Sequence, residues 1–177
     1  FLITLIISID VFAQKDSSII FYVGDKGYPP FEYLDNNDEP AGFNIDLIKA
    51  IGKELNKKVQ VSLMNWTEAR KKLEDGSADV LSMFYSPKRM DVVEFGESFI
   101  IINHEIFIRK NSTPINNLAD LESKSVIVQK GAYASDYLET ISHKTNLILV
   151  DDEPTALLLL SSGKYDCAIV GQQVGRY

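Results

Sequence analysis

The chain reads as an α/β protein of two lobes with a cleft between them. Three observations predict this. Short runs rich in β-branched and aromatic residues alternate with amphipathic stretches through residues 18–101. The same alternation restarts near Val126 and continues to Val170. Between the two sets, residues 99–109 (FIIINHEIFIR) form one long β-rich run leading into the polar connection 110–117, the pattern of a crossover between two units. We therefore expect a first lobe over residues 18–101 and a second over residues 102–177. The second lacks a return strand, so the carboxyl-terminal part of the fold is expected to be missing from this stretch. A cleft between two such units is a preferred site for a small molecule.

Residues 18–24 (SIIFYVG) predict the first strand. It ends in the turn-rich loop Gly24-Asp25-Lys26-Gly27-Tyr28-Pro29-Pro30; Phe31-Glu32-Tyr33 then leads to a polar turn at 35–40. Asn44 or Asp46 can cap a helix whose apolar positions Leu47, Ile48, Ile51 and Leu55 fall at helical spacing, with its end expected near Asn56. Residues 59–63 alternate and predict a second strand. Residues 66–73 predict a short amphipathic helix carrying Arg70, Lys71 and Lys72. Asp75-Gly76-Ser77 stops it, since glycine suits the left-handed position at a helix end. Residues 78–81 (ADVL) are too short for a helix and suit a buried strand. The order β-α-β-α-β predicts parallel pairing.

Ser86-Pro87-Lys88-Arg89 follows. Pro87 fixes its own φ and pushes Ser86 toward extended geometry, which predicts a shaped loop. A loop leaving the carboxyl end of a strand in an open α/β sheet is where ligands bind. An arginine there can grip a carboxylate through two parallel hydrogen bonds. In the second lobe, residues 118–121 predict a helical turn and residues 126–129 a strand. Lys130-Gly131-Ala132-Tyr133 leads into a helix to about Ser142. Residues 147–150 predict a strand, and Pro154 opens a helix through Leu160 that ends at Gly163. Residues 166–170 form a last strand, and Gly171-Gln172-Gln173 begin a further element.

Composition removes several classes of function. Across 177 residues, 25 acidic against 18 basic side chains leave a formal net charge of −7. With no basic stripe carrying interleaved aromatics, nucleic acid is not an expected partner. The single cysteine, Cys167, permits no intrachain disulfide and suits a buried small-residue role. His104 and His143 lack metal-ligand spacing. No Ser-His-Asp set, phosphate loop or zinc motif is present, and no cofactor is expected. The amino terminus, FLITLIISIDVFAQ, is apolar but shorter than the roughly 20 residues that span a bilayer. Val11 and Ala13 stand at the −3 and −1 positions of a cleavage before Gln14, so residues 1–13 are read as the remnant of a secretory signal peptide. The alternative is a hydrophobic first strand or an anchor.

Four motifs occur in a characteristic order: Tyr28-Pro29-Pro30-Phe31-Glu32, Gly42-Phe43-Asn44-Ile45-Asp46, Gly76-Ser77-Ala78-Asp79-Val80, and Ser-Pro-Lys-Arg89 followed by Val93-Glu94-Phe95. In this order and spacing the chain resembles family 3 extracytoplasmic solute-binding proteins, the type II periplasmic binding proteins. The resemblance implies a Venus-flytrap clamp that closes on a small polar solute. It puts Asp25 and Tyr28 in the first binding loop, Trp66 where a residue packs on the ligand, and Arg89 on the arginine that holds a ligand carboxylate. It puts Gly131, Ala132 and Tyr133 on a loop offering backbone N–H groups to the same anion, and Gln172, next to position 171, is a further ligand-binding candidate. Amino-acid-binding members usually carry Ser or Thr after the Gly131 position and an acid near position 171 for the α-ammonium. Here Ala132 and Gly171 stand there, so an anion site is expected and a standard α-amino acid is not.

MFYSPKR, EIFIRKN, VIVQKGAYASDYL and YDCAIVGQQVGRY further resemble the sensor versions of this fold, which precede a membrane segment and a histidine kinase or diguanylate cyclase. The expected partners are thus a small solute and a downstream membrane signalling module. The alternative is a free periplasmic receptor feeding an ABC permease. A dehydratase or lytic transglycosylase on the same scaffold is a third reading.

Overall fold

A computed structural model describes residues 18–141 and 144–177. The leader expected at residues 1–13 lies outside them, as do Ser142 and His143. β1 (Ile19–Asp25) opens the first lobe and buries Tyr22 and Val23. A small antiparallel sheet follows, built of β2 (Gly27–Tyr28), β3 (Glu32–Leu34) and β4 (Pro40–Ala41), where the sequence predicts only loop and turn. Strands of two and three residues are too short to show a period of two.

The helix α1 (Phe43–Glu54) starts from Gly42, not from Asn44 or Asp46. Gly42 takes φ 111°, and a Cβ there would lie 2.5 Å from the Phe31 carbonyl oxygen, so the close approach needs glycine. Asn44 lies inside the helix, donating its N–H to Phe31 O and its side-chain amide to Glu32. Ile45 and Ile48 of α1 pack with Ile20 and Tyr22 to form the lobe's main core. β5 (Lys58–Met64) pairs with β1 in parallel, Ile19 opposite Lys58. α2 (Trp66–Glu74) buries Ala69 against Val23 and Ala78. It stops at Asp75, with Gly76 at φ +77° as expected for a helix end.

The expected strand at 78–81 shrinks to one parallel bridge between Val80 and Tyr22. The Asp79 carboxylate takes the Phe21 N–H at 2.8 Å, a donor that a full ladder would use. The arginine loop is also more regular than expected. Residues 87–90 form one helical turn, α3 (Pro87–Met90), with Ser86 as N-cap accepting the Arg89 N–H and Pro87 in the first turn. A serine cap followed by proline favours helix entry over an open loop. The long β-rich run at 99–109 yields only β6 (His104–Phe107), and Phe99, Ile100 and Ile101 are exposed. A strand persists only where a partner completes its ladder, and β6 has one over these four residues alone.

In the second lobe, Asn117 caps a short 3-10 turn at Leu118–Leu121. β7 (Ser125–Gln129), α4 (Tyr133–Ile141), β8 (Asn146–Val150), α5 (Glu153–Ser161), β9 (Cys167–Gly171) and α6 (Gln172–Arg176) follow close to expectation. The sheet order is β6-β9-β7-β8; β7 is parallel to β8 and β9, and β6 is antiparallel to β9. Val126 and Val128 pack with Leu138 and Cys167 on one face; Ile127, Ala156, Leu160, Ala168 and Val170 fill the other. Both faces are covered, which is why these strands read as continuous apolar runs. Cys167 is fully buried, as its small-residue role predicts.

Candidate functional site

The lobes meet along the carboxyl ends of their strands. At one end of the junction the charge is positive. The Gly131 carbonyl, from the turn after β7, accepts three N–H groups from the first lobe: Trp66 Nε1 at 2.7 Å, Arg70 at 2.9 Å and Arg89 at 3.3 Å. Gly131 sits at φ +68°, which turns that carbonyl toward the arginines. Asp136, in the first turn of α4, pairs with Arg89 at 3.2 Å and lies 3.8 Å from Arg70. Arg89 is only 2% exposed; it also donates to Phe84 O at 3.1 Å and lies 5.7 Å from the Trp66 ring centre. Its Nε–H has no hydrogen-bond partner among the described residues. Burial, then Arg70, lower its hold on its proton, while Asp136 opposes this.

The other end is acidic. Asp25 is 2% exposed; its carboxylate takes the Gly27 N–H at 2.9 Å and the side-chain amide of Gln129 from the opposite lobe. Glu32 is held by the Tyr22 hydroxyl, the Asp25 N–H at 2.7 Å and Asn44 at 3.1 Å. Glu153, beside the Asp152 cap of α5, is 3% exposed and accepts the Gly171 N–H at 3.0 Å. Burial pushes Asp25 up to about 6, Glu32 to about 7 and Glu153 to about 8, and Asp25 adds to the rise of both glutamates. Tyr28 stacks on Phe31 at 5.4 Å. Its hydroxyl is buried and has no partner among the described residues.

The structure thus brings Asp25, Tyr28, Trp66, Arg89 and Gly131 to one junction. Ala132 is buried behind it, and its N–H goes to Gln129 O. So this turn meets the arginines with the Gly131 carbonyl, and the Ala132 N–H is taken up inside the turn. Tyr133 joins an aromatic wall with Phe84 (5.9 Å) and His104 (6.1 Å). Burial and Arg89 push the His104 imidazole down to about 4. Gln172 gives its amide to Glu105 on β6. Sequence reasoning missed Arg70, Gln129, Asp136 and Glu153. Arg70 was legible only as one of three cations on a helix. Glu153 looks like any acid in a first helical turn, and nothing local in sequence says that it is buried.

A two-lobed clamp with a charged junction defines a ligand-binding class, and the relatives agree. Residues 20–159 match the model of bacterial extracellular solute-binding proteins, family 3. The chain belongs to that family. It is similar to the crystal structure of a histidine kinase sensor domain with similarity to periplasmic binding proteins: 34% identity, TM-score 0.86, covering 90% of this chain and 70% of that one. It is 29% identical over 81% of its length to the arginine-binding extracellular protein ArtP of Bacillus subtilis (strain 168). It is 30% identical over 99% of its length to a Shewanella frigidimarina (strain NCIMB 400) protein given the provisional name of a sensor protein. The chain spans 57% of the first of these relatives and 26% of the second. No helix among the described residues is long and apolar enough to cross a membrane.

Proposed function

We propose that this chain binds a small polar, carboxylate-bearing solute outside the cytoplasm by lobe closure, as the sensory input of a membrane signal transducer. The observation that carries it is Arg89: buried at the lobe junction, with one donor unpartnered among the described residues. A planar guanidinium with a spare donor suits a carboxylate. Trp66, Tyr28 and Asp25 line the same junction and are proposed as ligand neighbours, with Gly131, Ala132 and Tyr133 shaping the opposite wall and Gln172 further out. The solute shifts an open–closed equilibrium by binding the closed form more tightly. We read the domain as a binding module without catalysis of its own; turnover of prephenate by the purified protein would overturn that.

The signalling output rests on the likeness to the histidine kinase sensor domain. The likeness to the ABC transporter arginine-binding protein 1 of Escherichia coli (strain K12) favours a second output, delivery to an ABC permease. The solute test is calorimetry of the full-length protein against the twenty standard amino acids and small dicarboxylates. Binding of at least one is expected, and binding of none overturns the reading. The output test uses the solute so found. A solute-dependent change in kinase or cyclase activity in membranes supports the sensor, whereas loss of solute uptake on deleting the gene supports transport.

A further inference from the structure

We propose that Glu153 is the group that receives the ammonium of a zwitterionic solute, in place of an acidic side chain at position 171. This rests on the solute-binding reading above and names the chemistry of its second pole.

Gly171 has no side chain to offer, yet a carboxylate stands beside it: a Cβ on Gly171 would lie 3.4 Å from Glu153 Oε2 and 2.9 Å from the Tyr28 hydroxyl oxygen. An acid reaches this point from the start of α5 instead of from the strand. A side chain at 171 would collide with Tyr28, so the glycine and the displaced acid belong to one arrangement. The two oxygens around it have acceptor capacity to spare. Among the described residues, Glu153 receives only the Gly171 N–H, and the Tyr28 hydroxyl has no partner. Asp25 and Glu32, by contrast, are each held by several donors.

A buried carboxylate with one backbone donor is costly unless a cation faces it. The charged group acting on Glu153 from across the junction is Asp25, itself acidic. Tyr28 of β2 feels Glu153, Glu32 and Asp25, all of one sign. Asp152, next in chain, lies against Gly27. Lys26 acts on Asp25, but among the described residues no cation acts on Glu153 or on the Tyr28 hydroxyl, and an ammonium brings three donors to them. Arg89 stands in the same junction, so one molecule bearing both a carboxylate and an ammonium would answer both groups once the lobes close on it. Burial holds the unliganded Glu153 as a neutral acid up to about pH 8, so an arriving ammonium displaces its proton.

The test titrates the full-length protein with the twenty standard α-amino acids and, for each that binds, with the carboxylic acid lacking its amino group. Glu153→Gln keeps an acceptor for Gly171 and removes the charge. The deaminated analogue, and Glu153→Gln with the amino acid, are each expected to bind about 10- to 100-fold more weakly. Calorimetry in buffers of different ionisation heat is expected to show proton release in the natural protein and none in the variant. If the analogue binds within about threefold of the amino acid, the Glu153 assignment falls while the solute reading stands. The same holds if a folded Glu153→Gln binds the amino acid unchanged. If no amino acid binds but a dicarboxylate does, the assignment again falls alone; if nothing binds, both fall. The analogue comparison uses the unaltered protein, so misfolding of the variant leaves the test decisive.

Discussion

The two ends of the lobe junction bury charge in opposite ways. At the arginine end, cations from one lobe meet acceptors from the other: Arg89 and Arg70 share the Gly131 carbonyl and Asp136. Charge there meets charge of opposite sign across the junction. At the acidic end, Asp25 acts on Glu32 and Glu153, Asp152 acts on Asp25 with Lys26 opposing it, and burial turns the three carboxyls into proton holders near neutral pH. The lesson is that the first end is set by pairing and the second by protonation. One should therefore respond to mutation of a partner, and the other to pH.

The sharpest test of the paired end is Arg89→Ala. Arg70 still reaches Gly131 O and stands near Asp136, so the junction keeps a cation and the fold is expected to survive. Losing a guanidinium grip on a carboxylate removes two charge-assisted hydrogen bonds, roughly 100-fold or more in affinity. Calorimetry checks the affinity and circular dichroism the fold; unchanged affinity would place the anion elsewhere and undo the comparison.

The protonation end predicts a loss of stability as pH rises. Each of these carboxyls has its folded value raised above the unfolded one, so the folded state holds more protons and stability falls with rising pH up to the folded value. His104 is shifted the other way, to about 4; its contribution grows with pH through its unfolded value of 6.5 and slightly opposes the carboxyls just above it. Between about 6.5 and 8 only Glu32 and Glu153 are left to lose protons, each with a slope of at most ~1.4 kcal/mol per pH unit. Urea unfolding at the two pH values is expected to show lower stability at pH 8, by on the order of 2 kcal/mol. Equal stability at both would mean that these carboxyls are not buried as the structure has them.

How much of this was legible in the sequence follows the same division. The second lobe was read nearly whole, because five-residue apolar strands and capped helices carry strong local signals, as at Asp152-Glu153-Pro154. The first lobe was read less well after Gly76. Val80 and residues 99–103 have strand-like composition, but pairing is a property of the partner and not of the run. Arg89 was legible through Ser86-Pro87 and the family order. Glu153 was not, because its burial comes from Gly171 and Tyr28, 18 and 125 residues away in the chain.

A smaller effect is expected at Gly131. Its φ of +68° disfavours any side chain, and a Cβ would stand 3.4 Å from Thr67 Cγ2 and 3.6 Å from Arg70. Gly131→Ala should cost about 1 kcal/mol of strain, a fall of about 2–4 °C in Tm for a chain of this size. No change in Tm would mean that the turn relaxes without moving the arginines.

The smallest expected effect, and the one that divides closure from binding, is Asp136→Asn. Asp136 is a carboxylate that the second lobe itself supplies to Arg89, at 3.2 Å. Its side chain is 25% exposed, so the pair is worth about 1 kcal/mol at most. Asparagine keeps an acceptor for Arg89 but removes the attraction across the junction. Without solute, the closed form should become less populated, and small-angle scattering should show a larger radius of gyration. With solute, a carboxylate on the proposed ligand would replace the missing charge beside Arg89, so affinity should change by less than about fivefold. An affinity loss as large as that of Arg89→Ala would make Asp136 part of what positions the solute and not only of what closes the lobes. The arginine end would then be a three-component site and not a simple pair.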